Sequence, residues 1–127
     1  MPTKSPEELV HAFLQAFNAG DIDALVALYE PQAILVAQSG QMAEGHAAVR
    51  EGFNAFLSLK PTLTLDKYTL IPTGDLTLFV DQWTLQGTDP DGQPVHMEGT
   101  ATDVFRQQAD GSWLFVIDNP WGAGLLR

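Results

Sequence analysis

The 127-residue chain carries 16 acidic residues against 6 basic ones, a formal net charge of -10, and no cysteine. So few scattered Lys and Arg assemble no basic patch, which excludes nucleic acid and disfavours an anionic membrane surface as a partner. Without cysteine there is no disulfide framework, thiol nucleophile or thiolate metal site.

This length suits one domain with a core of useful size, so residues 1–127 are read as a single domain. The start, MPTKSPEEL, has no hydrophobic signal region and no run reaches membrane-span length, which predicts a cytoplasmic protein without a membrane partner. Ser5-Pro6-Glu7-Glu8 opens a helix: Ser5 caps it, Pro6 takes the first helical position and Glu8 is placed to close a capping box. Leu9, Phe13, Ala16 and Phe17 then recur at helical spacing until Asn18-Ala19-Gly20 ends the element. Asp21 caps a second, shorter helix expected over 22–29 and stopped by Pro31. A short strand is expected over 33–37, a turn at Ser39-Gly40 and an extended piece over 41–44. Gly45-His46 opens a third helix in which Val49, Phe53, Phe56 and Leu57 repeat on one side. After Pro61 come strands over 62–71 and 76–87, the turn Asp89-Pro90-Asp91-Gly92, and a hairpin folded at Asp110-Gly111. This order predicts an α+β domain with three helices packed on a strongly curved, mostly antiparallel sheet.

Two carboxylates break apolar rows. Alternation along a strand puts Val95, Met97, Gly99, Ala101, Asp103 and Phe105 on one face. Asp103 is the only acid there, and a carboxylate in such a row must be paired, protonated or turned to a cavity. Arg50 is one available partner; Arg106, three residues on, falls on the opposite face. Phe79, Asp81, Trp83 and Leu85 form a second such row. The reverse face, Leu78, Val80, Gln82 and Thr84, is also partly apolar, so composition leaves the inward side open. The last strand is open in the same way, with Leu114, Val116 and Asp118 alternating with Trp113, Phe115 and Ile117. His96 and Glu98 fall on the outer face, no cysteine pair accompanies them as in a zinc deaminase, and no calcium-loop spacing occurs. No metal and no organic cofactor is expected.

Several short segments recur in a telling order. They are Phe17-Asn18-Ala19-Gly20-Asp21 with Ala27-Leu28-Tyr29, Gly45 with Ala47-Ala48-Val49-Arg50, Trp83 with Gly87, Thr102-Asp103-Val104-Phe105-Arg106, and Asp110-Gly111-Ser112-Trp113. Together they resemble the ketosteroid isomerase-like, or SnoaL-like, group of the nuclear transport factor 2-like superfamily, over residues 9–122. The resemblance implies a cone-shaped half-barrel enclosing a deep pocket, and a homodimer through the outer sheet face. It implies no single activity, because isomerases, dehydratases, polyketide cyclases and proteins that only bind or dimerise share the fold.

Ketosteroid isomerase works with a carboxylate base and an oxyanion hole made of a tyrosine and a protonated aspartic acid. Aligned on Asn18-Ala19-Gly20-Asp21, its tyrosine position falls on Phe13 and its base on Ala37, neither of which can do that chemistry. Only the acid has a counterpart, Asp103, so steroid isomerisation by that route is not expected.

The same alignment turns Phe79, Asp81 and Trp83 inward, together with Asp118. Carboxyls converging on one pocket cannot all stay ionised, and a neutral acid beside an ionised one is an acid/base pair. Asp103, Asp81 and Asp118 are therefore the candidate catalytic residues. A small hydrophobic molecule is expected against Phe13, Phe17, Tyr29, Phe53 and Phe79, with Ala101 leaving room, Trp83 as a platform and Trp121 as a lid or a dimer seal. The expected chemistry is isomerase, dehydratase or cyclase type without a cofactor; the alternative is a non-catalytic small-molecule-binding or dimerisation domain.

Overall fold

The computed structural model describes residues 3–126; Met1, Pro2 and Arg127, the ends of the domain read from the sequence, lie outside the described residues. Helix α1 (Pro6–Ala19) begins where expected, with the Ser5 hydroxyl accepting from the Glu8 N–H at 3.1 Å. The Glu8 carboxylate reaches back to the N–H of Lys4 at 2.9 Å, one residue before the cap. Gly20, at φ 69°, closes the helix in the left-handed region that glycine enters without penalty. Helix α2 (Ile22–Val26) is capped by Asp21, which accepts from the Ala24 N–H at 3.1 Å.

The second helix is shorter than the spacing predicts, and Tyr29 belongs instead to strand β1 (Tyr29–Val36). Leu28 and Tyr29 continue the apolar period of the helix, but Pro31 does not act as its stop. It sits inside β1, in the stretch between Tyr29 and Ile34 where the ladder to the next strand shifts register. A proline, lacking an N–H, is tolerated where pairing is interrupted. Strand β2 (Met42–Glu44), helix α3 (His46–Leu57), and strands β3 (Thr62–Thr73), β4 (Leu76–Thr88), β5 (Pro94–Gln107) and β6 (Trp113–Asp118) follow, and a single 3-10 turn covers Gly122–Leu125.

The sheet has the order β2-β1-β6-β5-β4-β3. Every neighbouring pair is antiparallel except β1 and β6, which run parallel. The three helices and the curved, unclosed sheet give the α+β architecture read from the sequence. The helices are tied down by polar contacts at their ends. The Asn18 side chain bonds both backbone groups of Leu63 on β3, donating at 3.1 Å and accepting at 2.7 Å. Gly87 lies so close to Leu59, after α3, that a Cβ there would be 2.6 Å from the Leu59 carbonyl oxygen. Between the layers lies an aromatic core in which Tyr29 stacks on Phe115 (4.6 Å, 15°) and Phe105 meets Phe115 edge-on (4.6 Å, 68°). Trp113 is buried in it, as its place at the start of an apolar strand predicts.

Candidate functional site

Register decides which side chains meet. On β4 and β5, Phe79 is paired with Asp103, Asp81 with Ala101 and Trp83 with Gly99, and the side chains of Phe79, Asp81, Trp83, Ala101 and Asp103 turn toward the helices. This fixes the inward face of β4 as Phe79, Asp81, Trp83 and Leu85, which are buried. The last strand combines both of its alternatives. Phe105 pairs with Phe115 but Val104 pairs with Ile117, so Val116 is an extra residue on β6. Such a bulge resets the alternation. Trp113 and Phe115 point inward before it, and Asp118 points inward after it.

Asp81, Asp103 and Asp118 thereby reach one cavity of about 60 Å³. Phe13 and Phe17 of α1, Phe53 of α3, Phe79, Trp83 and Ala101, all singled out in the sequence, line it. So do Val10, Phe56, Leu63, Leu65, Leu85 and Phe115, together with Pro120, which the sequence reading did not include. Leu63 and Leu65 had a readable signal, the strict Thr-Leu alternation of β3; Pro120 had none. Tyr29 and Trp121 stand outside the wall. Tyr29 lies behind the carboxyls, and Trp121 packs edge-on against Trp83 (5.3 Å, 74°). The Trp83 indole N–H donates to the carbonyl of Pro120 at 2.7 Å, and the ring lies over Gly99, where a Cβ would be 2.8 Å from it. The glycine is therefore needed for the indole to occupy that position.

No basic side chain among the described residues lines the cavity. Arg50, offered by the sequence as a partner for Asp103, pairs with Asp23 at 2.7 Å instead, and Arg106 binds Glu30 through two nitrogens at 2.9 and 3.3 Å. The carboxyls satisfy one another. Tyr29 donates its hydroxyl to Asp118 Oδ2, Asp103 and Asp118 share a hydrogen bond, and the Asn119 N–H donates to Asp103 Oδ1 at 2.7 Å. Asp81 differs: its Oδ1 is buried and has no hydrogen-bond partner among the described residues.

Burial and proximity set the protonation states. Asp103, 3% exposed, is held well above the ordinary carboxyl range by burial first, then by the charges of Asp118 and Asp81. Asp118 is also raised by burial, but pulled back by the donors Tyr29 and Asp103, so the two buried carboxyls hold a proton between them. Burial, with the charge of Asp118, lifts Asp81 to about 7. Tyr29 is pushed well above the usual phenol range by burial and by Asp118, so it stays a donor.

The three histidines lie away from the cavity. His96 and Glu98 bond each other at 3.2 Å on the exposed outer face. His11 is exposed, and His46 places a ring nitrogen 2.7 Å from the carbonyl of Tyr29. Among the described residues no group of three or more His, Asp or Glu side chains is arranged to hold a metal ion.

The profile of the SnoaL-like domain family matches residues 10–116, most of the chain. The chain belongs to the SnoaL-like domain family. No curated protein matches it by sequence at a significant level. Solved structures share the fold. A nuclear transport factor 2-like superfamily protein from Salmonella enterica superposes with a TM-score of 0.79 at 19% identity, covering 88% of this chain and 84% of that one. A ketosteroid isomerase-like protein from Erwinia carotovora gives 0.74 at 21% identity, covering 88% of each chain. A candidate calcium/calmodulin-dependent protein kinase type II association domain from Thiobacillus denitrificans gives 0.77 at 23%, covering 94% and 95%. Within this SnoaL-like domain, the position aligned with the steroid isomerase base, Ala37, is exposed beyond the end of β1. No helix of the described residues is long and apolar enough to cross a membrane.

Proposed function

We propose that this SnoaL-like domain binds a small, largely apolar molecule in its aromatic cavity and transforms it by proton transfer through Asp81, without an organic cofactor. The observation that carries the reading is the buried, unpartnered Oδ1 of Asp81 in an apolar cavity. A carboxyl titrating near neutrality is matched to proton transfer, since both of its forms are populated at working pH. Asp103 and Asp118 act behind it: Asp118, braced by Tyr29, holds the negative charge that keeps Asp81 basic, and Asp103 keeps the proton between them. One carboxyl that takes a proton from carbon and returns it to another atom suits an isomerase; giving it to a departing hydroxyl suits a dehydratase. The cavity of about 60 Å³ is less than half the ~150 Å³ that accommodates benzene, so the substrate is small or enters as the phenyl rings shift.

The test is hydrogen exchange and water elimination, followed by NMR in deuterium oxide, over a panel of small carbonyl compounds, alcohols and amines. Wild-type protein should accelerate one reaction, and Asp81→Asn should lose roughly a hundredfold or more while melting as a folded protein. Equal rates in both proteins would remove Asp81 from the chemistry.

The proposal includes a homodimer. Across the convex face, register aligns Ile71 with Leu78, Leu78 with Val104, Val104 with Ile117, and Ile117 with Ile34. Ile71, Leu78 and Ile117 remain 52%, 39% and 37% exposed. Such a row suits burial against a second copy. It also supports a second reading, a domain whose role is to dimerise. In that case Leu78→Asp abolishes function while Asp81→Asn leaves it intact, and sedimentation distinguishes the assemblies.

A further inference from the structure

Around Asp81 the cavity has a one-sided chemistry. Its polar side chains are all carboxyls, its walls are largely aromatic, and no basic side chain among the described residues reaches it. Two of the acids are engaged with each other and with Tyr29, which leaves Asp81 Oδ1 as the bonding position on offer; Asp81 itself is only 5% exposed. A ligand meeting this lining finds acceptors and π faces. An anion would be repelled by the acids and by the chain's net charge of -10. A cation would be attracted by all of them, because aromatic faces carry negative potential.

We propose that the ligand is a small organic ammonium ion, smaller than benzene, whose N–H group donates to Asp81 Oδ1 and whose carbon atoms lie against Phe13, Phe53, Phe79 and Trp83. This names the ligand class of the cavity already proposed as the reacting site and rests on that reading. The size limit follows from the volume of about 60 Å³. The charge follows from balance: an ammonium ion replaces the proton that Asp81 otherwise needs in order to be buried without a partner.

The titratable groups around Asp81 are few. Asp118 and Asp103 face it from β6 and β5, and Tyr29 acts through Asp118. From β3 its register neighbour is Tyr68, whose hydroxyl donates to Glu7. Helices α1 and α3 bring only Val10 and phenyl rings to the cavity. With a midpoint of about 7, Asp81 is roughly one-tenth ionised at pH 6 and nine-tenths at pH 8, while an alkylammonium stays charged at both.

The experiment is an NMR-detected titration of the whole chain with isopropylammonium and with its neutral analogue 2-propanol, at pH 6 and pH 8. The proposal predicts that isopropylammonium binds, that its affinity rises nearly tenfold from pH 6 to pH 8, and that Asp81→Asn abolishes both. Should Asp81→Asn fail to fold, the wild-type pH dependence carries the test alone. Tighter binding of 2-propanol than of isopropylammonium, or ammonium binding that does not strengthen with pH, overturns the ammonium assignment. If the alcohol binds more tightly at pH 6 and Asp81→Asn weakens it, the cavity and Asp81 survive as a site for neutral acceptors. If neither probe binds, the ammonium assignment fails, and the exchange assay above then decides the wider reading separately.

Discussion

Asp103 is hydrogen-bonded to Asp118, whereas Asp81, facing the same cavity from the next strand over, leaves its buried Oδ1 unbonded. The difference divides the carboxyls into a bonded pair and a single acid, which under the proposed function exchanges a proton with what enters. It also makes the stability of the fold depend on pH in an unusual direction.

For Asp81 the folded value of about 7 lies above the ordinary carboxyl value of 3.8. The native state therefore binds the proton more tightly than the unfolded chain. That contribution is complete below about pH 4 and is lost as pH rises toward 7, with an upper bound of roughly 4 kcal/mol. Asp103 and Asp118 are shifted in the same direction. We predict that the melting temperature rises between pH 8 and pH 5, opposite to the usual behaviour of paired carboxylates. Asp81→Asn should flatten the curve and raise stability at pH 8; thermal melts across that range measure both.

Tyr29→Phe removes the donor to Asp118 without changing ring packing on Phe115. Loss of a hydrogen bond to a buried carboxylate should cost about 1–3 kcal/mol. The donor favours the ionised form of Asp118. The loss should therefore be larger at pH 8 than at pH 4, which denaturant melts at the two pH values will register.

Gly99→Ala places a Cβ 2.8 Å from the Trp83 ring and 3.1 Å from its nitrogen. The indole must leave the Pro120 carbonyl, at a cost of about 1–3 kcal/mol, with a change in tryptophan fluorescence. In a Trp83→Phe background the same substitution should cost much less, and a double-mutant cycle reports the difference.

Much of this arrangement was legible in the sequence. Asp81 and Asp103 stood out because each interrupts an apolar row of period two, although composition left the inward side of the Asp81 strand open and only the pairing of β4 with β5 decides it. Asp118 was legible only as one of two phases. The bulge at Val116 puts Phe115 and Asp118 on one side although they are three residues apart, and no glycine or proline within β6 announces it. Tyr29 was misplaced on a helix for a different reason. Helical spacing continues through it, and only pairing with β6, far along the chain, claims it for a strand. Arg50 was a plausible partner for Asp103 because a sequence does not reveal that Asp23 lies nearer. Local pattern found the acids, and long-range pairing decided their company.

The most direct measurement is a carbon-13 NMR titration of the aspartate side-chain carboxyls, assigned through Asp81→Asn, Asp103→Asn and Asp118→Asn. The account predicts that Asp81 titrates near pH 7 and that Asp103 titrates well above an ordinary carboxyl. An Asp81 carboxyl that titrates near pH 4, like an exposed one, would contradict it.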